Sequence, residues 1–276
     1  MKFLVLADIH DTWTYYDKMV ELAESTDGVV FLGDLMILKK VSSLSLEKFE
    51  LLRDAANWMV AVPGNGPLPE VVEFLTNLRI NIHGSSSRIE DIGFFGVGGV
   101  SNSVDLILEL RRYFIQEKPK PIELAPRSLE TLAFFGIHLR DGAFEVDEWN
   151  SKKIKEMEAL RSPFEHTEDE IFSLLMKGYQ EIAKLDIRIL ISHIPPYVDG
   201  LNSKLPEGIS TGSRAITRFL RTQDVSYVLS GHYHLYHEFM IDSVPCVVVP
   251  AVVDGYYSIL SVNPTSGAID VTVNKF

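Results

Sequence analysis

Cysteine is almost absent. Cys246 is the only one in 276 residues, so a disulfide within the chain is excluded and a reducing compartment is expected. Long apolar runs are also missing, and no stretch approaches the length of a membrane span. The opening MKFLVLADIH is too briefly apolar for a signal peptide and passes straight into polar residues. Basic residues are in deficit, 26 Lys and Arg against 38 Asp and Glu, for a formal charge of −12. That balance argues against an extended nucleic-acid backbone as partner. It leaves room for a small phosphate ester, because bound metal ions would reverse the local field. Internal repeats and low-complexity segments are absent too. Together these gaps lead to the expectation of a soluble, cytoplasmic protein with no membrane partner.

What is present is a 46% hydrophobic share, ample for a large core in one or two domains. Short apolar runs alternate with helical patterns. Residues 2–7, 28–32 and 58–62 read as strands, with helices over 12–24, 44–56 and 69–78 between and after them. This β-α-β-α-β rhythm implies a parallel sheet with right-handed crossovers. Further strands are expected at 80–82, 94–97, 187–191, 227–230, 246–249, 256–262 and 269–273. Thr167 and Glu170 form a capping-box pattern ahead of a helix whose apolar residues include Ile171, Leu174, Leu175 and Ile182. Residues 102–161 break the rhythm: helical spacing at Leu106, Leu110, Tyr113 and Phe114, the proline-rich KPKPIELAP, then helical spacing at Ile154, Met157 and Leu160. Three readings stand for this insertion: an edge decoration, a lid over the site, or an arm that makes a homodimer.

The polar residues able to hold metal all follow strands. Asp8 and His10 follow the first, Asp34 the second in a GD turn, and Asn65 the third in a GN turn. His193 follows the strand at 187–191, and His232 and His234 follow the strand at 227–230 as GHYH. In open α/β sheets, ligands bind outside the carboxyl ends of the strands, so these residues can converge although distant in sequence. Imidazole and carboxylate without thiolate suit zinc, manganese, iron, cobalt or nickel. Seven ligands are too many for one such ion and about right for two, with Asp34 placed to bridge. GD and GN alone are ordinary turn dipeptides; the ordered set of five motifs is the specific signal.

DIH, GD, GN, SH and GHYH, in that order, resemble the calcineurin-like metallophosphoesterase superfamily. The resemblance spans residues 1–101 and 162 to about 262, with FFGVGG, SHIPPY, TGSRAI and DGYY as supporting stretches. It implies one domain over residues 1–276 carrying an insertion at about 102–161, folded as a four-layer α/β/β/α sandwich of two mixed sheets. It also implies two divalent ions. Asp8, His10 and His234 would hold the first, Asn65, His193 and His232 the second, and Asp34 would bridge them. The implied activity is hydrolysis of a phosphodiester or other soluble phosphate ester by a hydroxide bridging the two metals, with Asp34, Asn65 and His193 as catalytic residues. The alternative is a weakly active or inactive metal-containing interaction protein on the same fold; a nuclease is disfavoured by the acidic balance.

One part of the pattern is missing. Where the family has a His that helps protonate the leaving group, followed by an acidic residue, this chain has Gly66 and Pro67. Losing a general acid removes ~10²–10⁴ in rate, yet leaving groups of low pKa need no proton. His83, His237 and Asp11 are the candidates to stand in, although a surface or supporting role is the plainer reading of each. Asp11 fits orienting a metal-bound imidazole better than acting as an acid. His138 and His166 lie in or near the insertion and are expected to be bystanders. Arg214 opens a helix after Gly212 and Ser213, where an anion could sit.

Overall fold

The computed structural model describes residues 1–36, 41–65, 69–101, 111, 114–115, 133, 136–149, 151–159, 165–198 and 212–276. Two large mixed sheets stack face to face. The first contains β1 (Lys2–Leu6), β2 (Gly28–Phe31), β3 (Met59–Ala61), β14 (Tyr256–Val262) and β15 (Ile269–Lys275), in the order β15-β14-β1-β2-β3. The second contains β4 (Ser85–Ile89), β5 (Ile92–Val97), β10 (Ile187–Ser192), β11 (Tyr227–Ser230), β12 (His237–Ile241) and β13 (Val244–Val248), in the order β12-β13-β11-β10-β5-β4. In each sheet the central strands run parallel; antiparallel strands close both margins of the second sheet and the β14–β15 margin of the first, whose other edge, β3, is parallel.

Both faces of both sheets are covered, which is why the central strands read as unbroken apolar runs rather than alternations. In β1, Phe3 and Val5 point between the sheets while Leu4 and Leu6 face the helices. Strand β10 repeats this with Ile189 and Ile191 inward and Leu190 outward. Helices α1 (Tyr16–Ser25), α2 (Ser43–Ala55) and α3 (Pro69–Asn77) cover the outer face of the first sheet through Met19, Phe49, Leu52 and Leu75. Helices α5 (Glu168–Ile182) and α6 (Arg214–Leu220) cover the second through Leu175, Ile182, Ile216 and Phe219. The result is the expected α/β/β/α arrangement. No helix among the described residues is long and apolar enough to cross a membrane.

Most expected elements form. The capping box is present: the Thr167 side chain accepts from the Glu170 N–H, and the Glu170 carboxylate accepts from the Thr167 N–H. The strand expected at 80–82 is reduced to an isolated bridge between Ala61 and Asn81. Strands β4 and β12 were not foreseen, because SSSRI and HEFMI are edge strands with most side chains at least partly exposed and so lack a buried alternation.

The excursion after β5 is tied at its base. Strand β6 (Val100–Ser101) pairs in parallel with β9 (Glu165–His166), so the chain leaves and returns side by side. Within it, β7 (Ile137–Arg140) and β8 (Ala143–Val146) form a hairpin whose turn residues Asp141 and Gly142 both have positive φ, 49° and 76°. That is the backbone an Asp-Gly turn favours. Helix α4 (Ser151–Ala159) fits the spacing seen at Ile154. Of the helical pattern from Leu106 to Phe114, only Arg111 and Phe114 are described; KPKPIELAP and Leu160 lie outside the described residues.

Candidate metal centre

The turns that carry the seven expected ligands all leave the carboxyl ends of parallel strands: β1, β2, β3, β10 and β11. Here the backbone departs from ordinary geometry. Asp8, His10, Asp11, Asp34, His232 and His234 all have φ between 49° and 74°. Asp and His tolerate the left-handed region better than most residues, yet each such residue costs on the order of 1 kcal/mol. Six of them at one end of the sandwich mark the place where stability is given up for geometry.

The side chains converge. Asp8, His10 and His234 form one group whose ligand atoms lie within 4.8 Å of each other; Asp8, Asp34 and His193 form another. His10 Nε2 and His234 Nε2 are 3.2 Å apart. Asp8 Oδ1 lies 3.8 Å from His10 Nε2 and 3.6 Å from His234 Nε2. Asp34 Oδ2 sits 3.8 Å from His10 Nε2 and 3.6 Å from His193 Nε2, and Asp8 is common to both groups. The remaining two expected ligands meet each other: Asn65 Nδ2 is 3.4 Å from His232 Nδ1. The His232 ring packs edge-on against His193, with centroids 5.0 Å apart.

Backbone contacts decide which atoms remain for a ligand. The Asn65 N–H donates to Asp34 Oδ1 at 3.0 Å, leaving Oδ2 toward the imidazoles. The His232 N–H donates to Asp8 Oδ2 at 3.0 Å, leaving Oδ1. His193 Nδ1 lies 2.8 Å from the Leu32 carbonyl, which can only accept. Nδ1 therefore carries the proton and Nε2 presents a lone pair. Asp8 Oδ1 and His193 Nε2 are both buried with no hydrogen-bond partner. Such atoms are costly to bury unless something coordinates them. Orphaned, converging carboxylate and imidazole atoms fit divalent metal ions.

Protonation agrees with that fit. Burial, with His193 close by, pushes His232 down to about 3, so it is neutral at physiological pH. Burial alone would raise the Asp8 carboxyl, but the His234 ring 3.6 Å away and the charges of the other neighbouring histidines hold it below the usual value. His234 is raised, first by the close approach of Asp8, against burial, and then by the nearby carboxylates.

Two supports were missed by reading the sequence. Asp254, in the DGYY stretch, places Oδ2 3.4 Å from His234 Nδ1 and so orients the ring with Nε2 inward. Carboxylates behind metal-facing imidazoles typically contribute 10–100-fold in affinity. Asp254→Asn is accordingly expected to weaken manganese binding by about tenfold or more, read by calorimetric titration, with little change in the melting temperature. The second support is Ser45 on α2, 1% exposed. Its hydroxyl accepts from Trp13 Nε1 at 2.8 Å and donates to Asp11 Oδ1 at 2.6 Å. Asp11 is thus held by Ser45 beside the turn that carries Asp8 and His10.

The other candidates separate. His83 Nδ1 accepts the Gly98 N–H at 3.0 Å, and its ring stacks on His166 at 5.0 Å. The Gly99 N–H in turn reaches the carbonyls of Pro63 and Gly64, so His83 braces the turn that carries Asn65. Burial, then the proximity of His166 and Lys177, lowers His83 to about 4. A neutral acceptor is a poor proton donor near pH 7, and His83 serves here as a brace for that turn. Because the unfolded His binds its proton near 6.5, unfolding takes up a proton between pH 6.5 and about 4. The stability this contributes is complete above 6.5 and is lost as the pH falls toward 4. His83→Gln should flatten the acid limb of urea stability by roughly 2–3 kcal/mol between pH 7 and 4. His237 is exposed on β12, and His138 lies 3.1 Å from Asp147, in the excursion. At Arg214 the helix start is capped from within: Ser213 is the N-cap, and Glu168 accepts from Ser213 Oγ at 2.8 Å and from the Ala215 N–H. Gly66 and Pro67 lie outside the described residues.

Carboxylates and imidazoles gathered at the carboxyl ends of strands from two stacked sheets define a metal-dependent hydrolase type of centre. The chain belongs to the calcineurin-like phosphoesterase family, whose model matches residues 1–236. Among curated proteins, the uncharacterised MJ1162 of Methanocaldococcus jannaschii is 21% identical over 239 residues, covering 85% of this chain and 80% of its own. Among solved structures, TT1561 of Thermus thermophilus superposes with a TM-score of 0.57 at 18% identity, covering 98% and 97% of the two chains. The phosphopantetheinyl hydrolase of Mycobacterium tuberculosis gives a TM-score of 0.52 at 11% identity, over 91% and 89%. At these identities the structural likeness is one of fold.

Proposed function

We propose that this phosphoesterase hydrolyses a phosphodiester or another soluble phosphate ester, with two divalent ions held by Asp8, His10, Asp34, Asn65, His193, His232 and His234. The observation that carries the reading is the pair of buried, partnerless atoms, Asp8 Oδ1 and His193 Nε2, on either side of Asp34. Manganese, iron, zinc, cobalt and nickel all suit this donor set. When bound, such a pair makes water acidic enough to supply a nucleophile near neutral pH and neutralises the phosphoryl oxygens.

The chain's own residues do the rest. Asp34 offers Oδ2 toward both imidazole groups while the Asn65 N–H holds Oδ1. Leu32 and Asp254 fix the tautomers of His193 and His234. The sequence provides Gly66 and Pro67 where a proton donor would stand, so the preferred substrates are esters whose leaving group departs without a proton.

The test is a leaving-group series. Purified protein with manganese would be assayed on bis-p-nitrophenyl phosphate, p-nitrophenyl phosphate and a phenyl phosphate with a high leaving-group pKa. A rate that falls steeply with leaving-group pKa and vanishes with chelator supports the proposal. No turnover of any ester despite two bound ions would favour a metal-containing interaction protein instead.

A further inference from the structure

Helix α6 and its C-terminal cap carry Arg214, Arg218 and Arg221. Spacings of four and three put these side chains on one helix face. They line a cleft of about 820 Å³ together with Tyr197, Met240 and Asp242. That size is typical of small-molecule sites. Three arginines against one carboxylate stand out in a chain with 38 acidic and 26 basic residues. None of the seven proposed metal ligands lines this cleft.

Two of the three guanidinium groups stack on aromatic rings. Arg214 lies over the Tyr197 ring at 4.8 Å and Arg218 over Phe172 at 4.2 Å. Stacking fixes the plane of the Arg218 guanidinium and presents the edge of its N–H fork to the cleft. The ion pairs of Arg218 and Arg221 are weak competitors. Arg218 meets Asp169 at 3.3 Å with the aspartate side chain 91% exposed, and Arg221 meets Asp242 at 4.0 Å with both side chains more than 60% exposed. Water screens such pairs, so a phosphate can displace them. Tyr197 and the exposed Met240 supply a wall for an apolar or flat group beside the anion.

We propose that this cleft is a second site, separate from the metal centre, that binds a small phosphorylated molecule through Arg218 and Arg221, with Arg214 and Tyr197 as its flank. The test uses metal-free protein in chelator, titrated calorimetrically with inorganic pyrophosphate and with AMP. Saturable binding of at least one probe is expected, retained in Asp34→Ala and weakened tenfold or more in Arg218→Ala/Arg221→Ala. Arg214→Ala, measured alone, should weaken it about threefold, which gives a second reading if the double variant folds poorly. Absence of saturable binding in the wild-type chain would overturn the proposal. So would binding unchanged in the arginine variants, or binding lost in Asp34→Ala. The titration contains no metal and no turnover, so its failure is distinct from failure of the phosphoesterase reading.

Discussion

Asp34→Ala is expected to lose metal and hydrolysis together. The carboxylate is split between two tasks: Oδ1 takes the Asn65 N–H at 3.0 Å, and Oδ2 faces His10 and His193 at 3.8 and 3.6 Å. Truncation removes a negative charge from between two sets of ligands and frees the turn that presents Asn65. Loss of a preorganised electrostatic group at a reacting centre costs ~10²–10³ in rate, and here the ions would go as well. Metal content after dialysis, read by mass spectrometry, should fall below two ions per chain. Turnover of bis-p-nitrophenyl phosphate should drop at least ~10³-fold. Asp34→Asn separates the tasks, because its amide oxygen can still accept from Asn65 while the charge is gone. It should keep the fold and still bind poorly. Full activity of Asp34→Ala with no metal bound would end the two-ion model.

Gly64→Ala is expected to be as damaging to activity without touching a ligand. A Cβ at Gly64 would stand 2.6 Å from Asp34 Cγ and would overlap Asp34 Oδ1 and the Asp34 amide nitrogen. Relief requires moving the Asp34 carboxylate or a backbone already at φ 56°. Forced repacking of this kind costs ~1–3 kcal/mol, which a urea midpoint would show, and displacement of Asp34 should take metal binding with it. Gly142→Ala is the control. Gly142 has positive φ, 76°, unlike Gly64, and nothing lies within 4 Å of the added carbon. It should cost ~1–2 kcal/mol at most and leave hydrolysis unchanged. If Gly64→Ala bound two ions normally, the close packing of this turn would not govern the site.

The candidate ligands were legible because each follows a strand buried on both faces, and such strands announce themselves as unbroken apolar runs such as FLVL and ILIS. The glycines beside them were legible only as turn residues; that Gly64 is excluded from carrying a side chain by Asp34 is a three-dimensional fact. Asp254 escaped notice because its partner, His234, is 20 residues earlier and one aspartate before a glycine reads as an ordinary turn. Ser45 escaped for a similar reason, since a serine near a helix start suggests capping, whereas here the cap is Ser42 and Ser45 reaches across to Asp11. The edge strands β4 and β12 lacked any buried alternation to betray them. The hairpin at Asp141–Gly142 did carry a signal, a DG pair between LR and AF, inside a segment otherwise dominated by prolines upstream.

The pairing of β6 with β9 bears on how this chain can vary. Val100 and Ser101 lie beside Glu165 and His166, one strand spacing apart, about 4.8 Å. The buried residues within the excursion, such as Phe114 and Ile137, belong to none of the three apolar layers of the sandwich. Phe114 packs instead on Phe144 of the excursion's own hairpin. Among the described residues, the excursion therefore packs on itself rather than on the sandwich, and a substitution at Phe114 or Phe144 is expected to leave the register of both sheets unchanged.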